Sequence, residues 1–270
     1  MTVGPGTTRF AFGENWAGYS ELIDSYRIDD AELALRRLAG PERIVRQRII
    51  DIGCGSGLHS LAALRLGASE IVALDFDANS VATTRKVLSQ YAPERRWRVE
   101  QADVLSLEPG RFGTFDIVYS WGVLHHTGDM KAAIKRAAGL VAPGGYFIFA
   151  LYRRTPLCPF WKYEKRWYCQ AGPSAQKIAR KLYITWMRSV FYLTGQDFHA
   201  YVQSYRARGM DFLHDVHDWL GGYPYDSIAP SEVHSLMQCL RFELVRSFVH
   251  PAGSGVTGSG CDEFVYCRSA

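Results

Sequence analysis

Apolar and polar positions alternate in two different ways between residues 48 and 152. Short runs of consecutive apolar residues predict buried strands, whereas apolar residues three and four positions apart predict helices that pack on a sheet. The strands predicted in this way are 48–53, 71–75, 97–101, 115–120 and 144–151, and the helices are 58–66, 79–91 and 130–141. Strands that alternate with helices are typical of βαβ units, so the pattern predicts a parallel sheet.

The pattern changes after residue 152, where Pro156, Pro159 and Pro173 interrupt the chain before helices predicted at 175–194 and 196–208. We interpret this stretch as a helical cap over the C-terminal edge of the sheet. A helix at 231–240 and strands at 241–249 and 263–268 follow. The predicted fold is therefore α/β: a Rossmann-like, seven-stranded, mostly parallel sheet flanked by helices, with the cap inserted after the fifth strand. The predicted divisions are an N-terminal lid or helical segment (1–40), the Rossmann-like core (41–152), the cap (153–228), and a C-terminal helix with the last two strands (229–270).

A glycine-rich turn follows the first predicted strand and leads directly into the first helix. Its sequence is Asp51-Ile52-Gly53-Cys54-Gly55-Ser56-Gly57, and glycines there allow a ligand to approach the backbone closely. A dinucleotide fingerprint would place its third glycine at position 58, where this chain has Leu58. The carboxylate of Asp51 at the strand end would repel a diphosphate and would favour a cationic ammonium or sulfonium ligand.

This turn resembles the first motif of the class I S-adenosylmethionine-dependent methyltransferases, and four further segments match that family in order and spacing. The resemblance implies S-adenosyl-L-methionine as cofactor, with S-adenosyl-L-homocysteine as product. It gives Asp75, 22 residues after Gly53, the role of accepting hydrogen bonds from both ribose hydroxyls, Phe76 that of stacking on adenine, and Asp103 that of binding the adenine amino group. Segments 115–121 and 140–145 match the fourth strand and the turn before the fifth. The residues expected to bind the cofactor are Asp51, Gly53, Gly55, Gly57, Asp75, Phe76, Asp103, Val104, Ser120 and Trp16.

Residues 12–19 combine two aromatic side chains with polar ones ahead of the core. They resemble the N-terminal lid of small-molecule members of the family, which folds over the bound cofactor and excludes water. The alternative is a helix that only covers the sheet.

A general base is expected wherever the acceptor loses a proton on methylation, and histidine titrates near neutral pH. His125, which follows the fourth-strand motif, and His217 are the two candidates, and either could instead be a packed core histidine. The predicted catalytic residues are His125, His217, Asp218 and Tyr19. The stretch 214–226, together with 260–265, resembles a branch of bacterial methyltransferases labelled as similar to ubiquinone-biosynthesis methylases. Its histidines and carboxylates match no metal-binding spacing, so no metal is predicted.

The cap is rich in aromatic and basic residues. Between Arg153 and Arg208 there are eleven Lys or Arg against two acids, Glu164 and Asp197, and twelve aromatic residues. The aromatic faces could line a pocket for a planar or prenyl-like acceptor, with Tyr152, Trp186, Tyr223 and Tyr225 as predicted substrate-binding residues. The alternatives are that they form the cap's own contacts with the sheet, or that the cap binds RNA.

Composition narrows the class of function. The net charge of +4 over 270 residues is too small to imply a nucleic-acid partner. We find no run of about 18 apolar residues that could cross a membrane, no secretory signal, and no C-x-x-C pair among the six cysteines. The expected protein is a cytoplasmic enzyme that methylates O, N or C of a small aromatic, heterocyclic or prenyl-like metabolite in specialised metabolism, and a homodimer remains open. The alternatives are an RNA-modifying methyltransferase, although 119–122 lacks an Asn-Pro-Pro-Tyr-type motif, and a catalytically silent binding protein.

Overall fold

The computed structural model describes residues 10–40, 42–206, 211–251 and 253–269, and over these ranges the strands form one seven-stranded sheet. The strands are β1 (Arg48–Ile52), β2 (Glu70–Asp75), β3 (Trp97–Gln101), β4 (Phe115–Trp121), β5 (Val141–Tyr152), β6 (Phe242–Phe248) and β7 (Cys261–Arg268). Their order across the sheet is β3-β2-β1-β4-β5-β7-β6, and β7 runs antiparallel to both of its neighbours while the other pairs are parallel. The predicted α/β class with a mostly parallel sheet is confirmed.

Helices cover both faces of this sheet and continue into the cap. They are α1 (Phe12–Ser20), α2 (Ser25–Ala39), α3 (Leu58–Arg65), α4 (Ala78–Tyr91), α5 (Pro109–Phe112), α6 (Met130–Ala138), α7 (Cys158–Gln170), α8 (Pro173–Leu193), α9 (Phe198–Arg206), α10 (Phe212–Gly221) and α11 (Pro230–Cys239). No helix within the described ranges is both long enough and apolar enough to span a bilayer. Residues 1–9 of the predicted lid segment, and 207–208 of the predicted last cap helix, lie outside the described residues.

The apolar runs of the central strands are buried on both faces, as expected for a parallel sheet covered by helices. In β1, Ile49 contributes to the core beneath α2, α3 and α4, whereas Ile50 contributes to the core beneath α6 and α11. Ile50 lies beside Val72 of β2 and Val118 of β4. This register brings the carboxyl ends of β1, β2 and β4 to one edge of the sheet, where the turns that follow them lie close together.

Two boundaries near β5 differ from the sequence prediction. The helix predicted to reach residue 141 ends at Ala138, and Val141 is already in β5. The Pro143-Gly144-Gly145 segment does not separate helix from strand. It lies within β5, where the pairing with β4 shifts between Phe115 opposite Val141 and Ile117 opposite Tyr146. Proline and glycine are tolerated there because a bulge interrupts the hydrogen-bond ladder.

The sequence prediction also missed two cap helices. Pro159 lies in the first turn of α7 and does not interrupt the chain, because a proline there lacks only an amide that has no partner inside the helix. In α10, Asp211 is the N-cap, and its carboxylate accepts hydrogen bonds from the amides of Leu213 and His214 at 3.1 Å each. These two helices and α8 enclose an aromatic core of their own. Lys165 is fully buried within it, with Nζ 3.4 Å from the centroid of the Trp219 ring.

A buried ion pair fixes the end of β5 to the start of β7. Arg153 Nη2 and Nε donate to Asp262 Oδ1 at 2.9 and 3.1 Å, and the His250 amide donates to the same oxygen at 3.1 Å. The side chains of Arg153 and Asp262 are 10% and 2% exposed. A charge at this depth requires its partner, because water cannot replace it.

We expect Arg153→Met to lower the free energy of unfolding by about 3–5 kcal/mol, because Asp262 would remain buried without its partner. Urea denaturation measures the change. The matched control is Arg154→Met, which removes an ion pair to Glu232 whose side chains are 51% and 38% exposed and should cost at most about 1 kcal/mol. The double variant Arg153→Met/Asp262→Leu should recover most of the lost free energy of unfolding. Equal losses of stability in Arg153→Met and Arg154→Met would contradict this account.

Candidate active site

One continuous cavity of about 1210 Å³ opens at the carboxyl ends of β1, β2 and β4 and extends under the cap. It exceeds the roughly 300–1,000 Å³ of common ligand sites, so it has room for a cofactor together with a second molecule. Of the residues predicted from the sequence, those on its wall are Asp51, Gly53, Gly55, Asp75, Phe76, Asp103, Val104, Trp16, Tyr19, Tyr152, Asp218 and Tyr223. Those that the structure places elsewhere are Gly57, Ser120, His125, His217, Trp186 and Tyr225.

The glycines of the turn after β1 are required by backbone conformation and by close approach. Gly53 has φ +82°, and a Cβ there would lie 2.3 Å from the Val123 side chain. Gly55 has φ +54°, with the Trp16 indole 3.2 Å from where its Cβ would be. Gly57 has φ +79° and is the N-cap of α3, so it shapes the turn from behind the cavity wall.

Asp51 and Asp75 lie at the ends of β1 and β2 and face the same cavity. Asp51 Oδ2 accepts a hydrogen bond from the Ser60 hydroxyl at 2.6 Å. Asp75 accepts one from the Gly55 amide at 3.0 Å and one from the Asp77 amide at 2.9 Å. Neither carboxylate forms an ion pair with any residue that the structure describes.

This burial without a cationic partner disfavours the charged forms. Burial raises the pKa of Asp51 to about 7, against the opposing hydrogen bond from Ser60, and the nearby charge of Asp75 raises it further. Burial likewise raises the pKa of Asp75 to about 6, although the amides of Asp77 and Gly55 hydrogen-bond to it. The two carboxyls therefore form an acidic site suited to a cationic ligand.

Two of the residues expected to bind the cofactor, Asp103 and Phe76, line the cavity, whereas Ser120 does not. Asp103 lines the cavity and caps the short turn 104–106 through the Leu105 amide at 3.0 Å. Phe76 is 52% exposed and presents its ring at the cavity edge. Ser120, by contrast, is fully buried off the wall, and its hydroxyl donates to the Ile52 carbonyl at 2.9 Å. It ties β4 to β1 and does not face the cavity.

Helix α1 bridges the glycine-rich turn and the cap. The Gly13 amide donates to Asp77 Oδ2 at 3.0 Å on the core side. On the cap side, Asn15 Nδ2 donates to Asp218 Oδ1 at 2.8 Å and to the His214 carbonyl at 3.0 Å. Trp16 also covers Gly55, so this segment forms one side of the cavity.

The two histidines predicted as bases do not face the cavity. His125 is fully buried, its Nδ1 accepts a hydrogen bond from the Tyr152 amide at 3.2 Å, and burial holds its pKa well below the usual value. His217 Nδ1 contacts the Tyr168 hydroxyl at 2.7 Å and Arg180 Nη1 at 3.0 Å inside the cap. Burial, followed by the charge of Arg180, lowers the pKa of His217 to about 4. Both histidines are packing residues in this structure.

His126, which was not selected from the sequence, lines the cavity, whereas its neighbour His125 does not. Its Nδ1 lies 2.8 Å from the Pro224 carbonyl. A carbonyl only accepts, so in the neutral ring the proton is on Nδ1 and the lone pair on Nε2. Burial lowers the pKa of His126 to about 4, with an opposing contribution from the Pro224 carbonyl, so the ring is neutral at physiological pH.

Aromatic side chains of the cap form the far wall of the cavity. Tyr152 and Tyr223 lie there as predicted, but Trp186 is half exposed outside the cavity. Tyr225 is buried in the cap core, where its hydroxyl lies 3.2 Å from both Cys158 Sγ and Ser259 Oγ, within hydrogen-bond distance of each. The structure adds wall residues that the sequence interpretation did not select, namely Trp219, Tyr183, Met187, Tyr201 and Tyr205.

Two carboxyl groups accompany these rings, Asp215 and Asp218. Burial raises the pKa of Asp218 well above the usual value, the Asn15 hydrogen bond opposes this, and the charge of Asp215 adds to it. Within the described part of the chain, no group of three or more His, Cys, Asp or Glu residues is placed to hold a metal ion.

The sheet order, the glycine-rich turn and the two strand-end carboxylates are similar to those of the class I S-adenosylmethionine-dependent methyltransferases, and the chain has their fold. A family model described as a methyltransferase domain matches residues 50–147. The ubiquinone biosynthesis O-methyltransferase of Xanthomonas campestris pv. campestris (strain B100) is 35% identical over 109 residues. That match covers 40% of this chain and 44% of the relative, so the resemblance spans less than half the length of either protein.

Solved structures share the fold over most of the chain. Magnesium protoporphyrin IX methyltransferase from Synechocystis PCC 6803, with bound S-adenosylhomocysteine, superposes with a TM-score of 0.54 at 14% identity, over 90% of this chain and 84% of that one. An S-adenosylmethionine-dependent methyltransferase from Mesorhizobium loti gives a TM-score of 0.52 at 19% identity, over 88% and 98% of the two chains.

The residues present fit the cofactor of this family. S-adenosylmethionine carries a sulfonium and an ammonium group, and the cavity offers two buried carboxyls that lack an ion-pair partner among the described residues. The turn at Gly53 and Gly55 leaves room beside them, and Asp103 and Phe76 extend the wall toward the position expected for adenine.

We expect the affinity for S-adenosylmethionine to rise by about 10- to 100-fold between pH 5 and pH 8. A cation favours the ionised carboxyls, so the pKa values of about 7 for Asp51 and about 6 for Asp75 must fall on binding. The affinity is therefore highest above the pKa of Asp51, and it decreases as the pH falls through the pKa values of Asp51 and Asp75. Calorimetry in buffers of different ionisation enthalpy should also detect proton release. Asp51→Asn should flatten the upper part of the profile, and a pH-independent affinity in the wild type would contradict the account.

Proposed function

We propose that this chain transfers a methyl group from S-adenosylmethionine to a small-molecule acceptor held against the aromatic wall of the cap. The observation that carries the proposal is the continuity of one cavity, from Asp51 and Asp75 at the strand ends to Tyr152 and Trp219 beneath the cap. A donor and an acceptor in this space would meet without crossing a protein wall. The curated relative, which methylates oxygen according to its name, supports the choice of a small acceptor.

The residues of the chain would act mainly by positioning. The bound cofactor supplies a methyl group on a sulfonium, which is a good leaving group, so alignment and exclusion of water matter more than further activation. Asp51 would hold the cationic end of the cofactor, and Asp75 would accept hydrogen bonds from the ribose hydroxyls. Helix α1 would exclude water, because Trp16 lies over Gly55 and Asn15 ties the helix to the cap. The aromatic wall would hold a ring-bearing or prenyl-like acceptor.

Asp218 is the proposed proton acceptor. It lines the cavity beside Asp215, and burial raises its pKa well above the usual value, which makes its carboxylate a stronger base. Asn15 donates to Oδ1 and fixes the orientation of the carboxyl group. His126, neutral and held by the Pro224 carbonyl, would orient the acceptor through a hydrogen bond rather than take its proton.

We expect Asp218→Asn to lower kcat by about 10²- to 10⁴-fold, because the amide keeps the shape and the contact with Asn15 but cannot take a proton. The affinity for S-adenosylmethionine should stay within about twofold, since the side chain lies on the acceptor side. The matched control is Asp226→Asn, the same change at a residue that pairs with Lys162 at 3.2 Å outside the cavity wall. Full activity in Asp218→Asn would exclude this role.

The reaction itself is tested by following a labelled methyl group. The protein is incubated with the labelled donor and with cell extracts separated into small molecules, RNA and protein, and an Asp51→Asn/Asp75→Asn double variant serves as the inactive control. We expect label in the small-molecule fraction with the wild type only. Label in RNA or in protein would contradict the proposal.

A further inference from the structure

Helix α8 is apolar on the side that faces solvent as well as on the side that faces the cap. Ile178, Leu182, Trp186 and Leu193 are 59%, 66%, 50% and 81% exposed. At about 100° per residue, their spacing places all four within an arc of about 80°. Met187, the buried residue of this helix, lies on the other side. A stripe of this kind is unusual on a surface that only water contacts.

Helix α7 carries a second stripe of the same kind. Phe160, Tyr163 and Trp167 are 56%, 77% and 48% exposed. Their spacing of three and four residues puts them on one face of the helix, while Trp161 and Tyr168 fill the cap core. We call the exposed residues of α7 and α8 the cap surface.

The charges of the cap surface have one sign. The exposed basic residues on it are Lys162, Arg166, Lys177, Lys181 and Arg188. Glu164, the one acid in α7 and α8, has both carboxylate oxygens buried. On α8, Lys177, Lys181 and Arg188 form a row along one side of the apolar stripe, because their positions fall within about 40° of one another around the helix.

Exposed aromatic and aliphatic residues beside basic ones match the chemistry of an anionic bilayer surface. Trp and Tyr are favoured at the boundary between headgroups and acyl chains, aliphatic residues enter the acyl region, and Lys and Arg attract anionic headgroups. Single-stranded RNA would use the rings and the charges. It would give no favourable environment to Ile178, Leu182 and Leu193, so the composition favours a lipid surface.

The cap surface also lies close to the cavity. Tyr183 and Met187 of α8 line the cavity wall, and Trp186 Nε1 donates to the Val256 carbonyl at 3.5 Å, next to Thr257 on the same wall. A bilayer in contact with the stripe would therefore be separated from the cavity by the thickness of one helix, about 10 Å.

We propose that the cap surface docks the protein peripherally on a membrane that contains anionic lipids. The apolar stripes of α7 and α8 enter the headgroup boundary, and the basic residues beside them contact the headgroups. This inference concerns binding alone and does not depend on the proposed methyl transfer, so each can fail without the other.

The test is flotation of the full chain with lipid vesicles. We expect binding to vesicles of phosphatidylcholine with about 30% phosphatidylglycerol, little binding to phosphatidylcholine alone, and weaker binding as salt is raised from about 0.1 to 0.5 M. Lys177→Gln/Lys181→Gln/Arg188→Gln should weaken binding by about 100-fold. Ile178→Gln/Leu182→Gln/Leu193→Gln should abolish the part of the vesicle binding that persists at about 0.5 M salt, because electrostatic attraction without apolar insertion is reversed by salt.

Matched controls change the same residue types elsewhere. Lys86→Gln/Lys131→Gln/Arg136→Gln removes three exposed charges from α4 and α6, and Leu33→Gln alters an α2 side chain that is 64% exposed. Both should bind like the wild type, and circular dichroism checks that every variant folds. The proposal is overturned if binding ignores lipid charge, or if the controls lose as much as the cap variants. It also fails if the protein retains tRNA but not vesicles, or if light scattering shows a dimer that the apolar variant dissociates while vesicles are ignored.

Discussion

Two carboxyl groups at adjacent strand ends, held in a buried cavity without a cationic partner among the described residues, are the constraint on which the site depends. Parallel pairing places the ends of β1 and β2 side by side, so Asp51 and Asp75 must share one edge of the sheet. In the free protein, burial at this edge raises the pKa of both carboxyl groups, so their charged forms are disfavoured. A ligand with positive charge would stabilise the charged carboxylates, whereas a diphosphate would destabilise them further. The preference for a cationic ligand that we infer for this cavity therefore follows from strand pairing and burial.

Helix α1 and the cap meet over this edge of the sheet. Helix α1 contacts the core through Gly13 and the cap through Asn15, so one helix connects the strand ends to the cap. The buried pair of Arg153 and Asp262 fixes the point where β5 leaves the sheet for the cap. The aromatic wall therefore has a defined position relative to the strand ends, as alignment of a donor and an acceptor demands.

The sequence was sufficient for the parts of the structure that depend on local pattern. Strands β1, β2 and β4 were predicted to within one residue, because doubly buried strands are nearly continuous apolar runs. The acceptor side was harder to predict. Which of His125 and His126 faces the cavity depends on a single short turn at 124–126, and a shift of one residue there exchanges a wall residue for a core residue. Trp219 reaches the wall only because α7, α8 and α10 pack together, and no local pattern encodes that contact. Ser120 was predicted to bind the cofactor, but its hydroxyl instead forms a hydrogen bond from β4 to the Ile52 carbonyl of β1. That contact depends on strand pairing and is not encoded in the local sequence.

The central claim is that the strand-end carboxylates and the glycine turn bind a sulfonium amino acid joined to adenosine. Isothermal titration calorimetry of the purified chain at pH 8, with S-adenosylmethionine, S-adenosylhomocysteine and NAD(H) in separate titrations, tests it most directly. The account predicts saturable binding of the first two ligands and no heat of binding with the dinucleotide. Tight binding of NAD(H), with no response to either adenosyl amino acid, would contradict it.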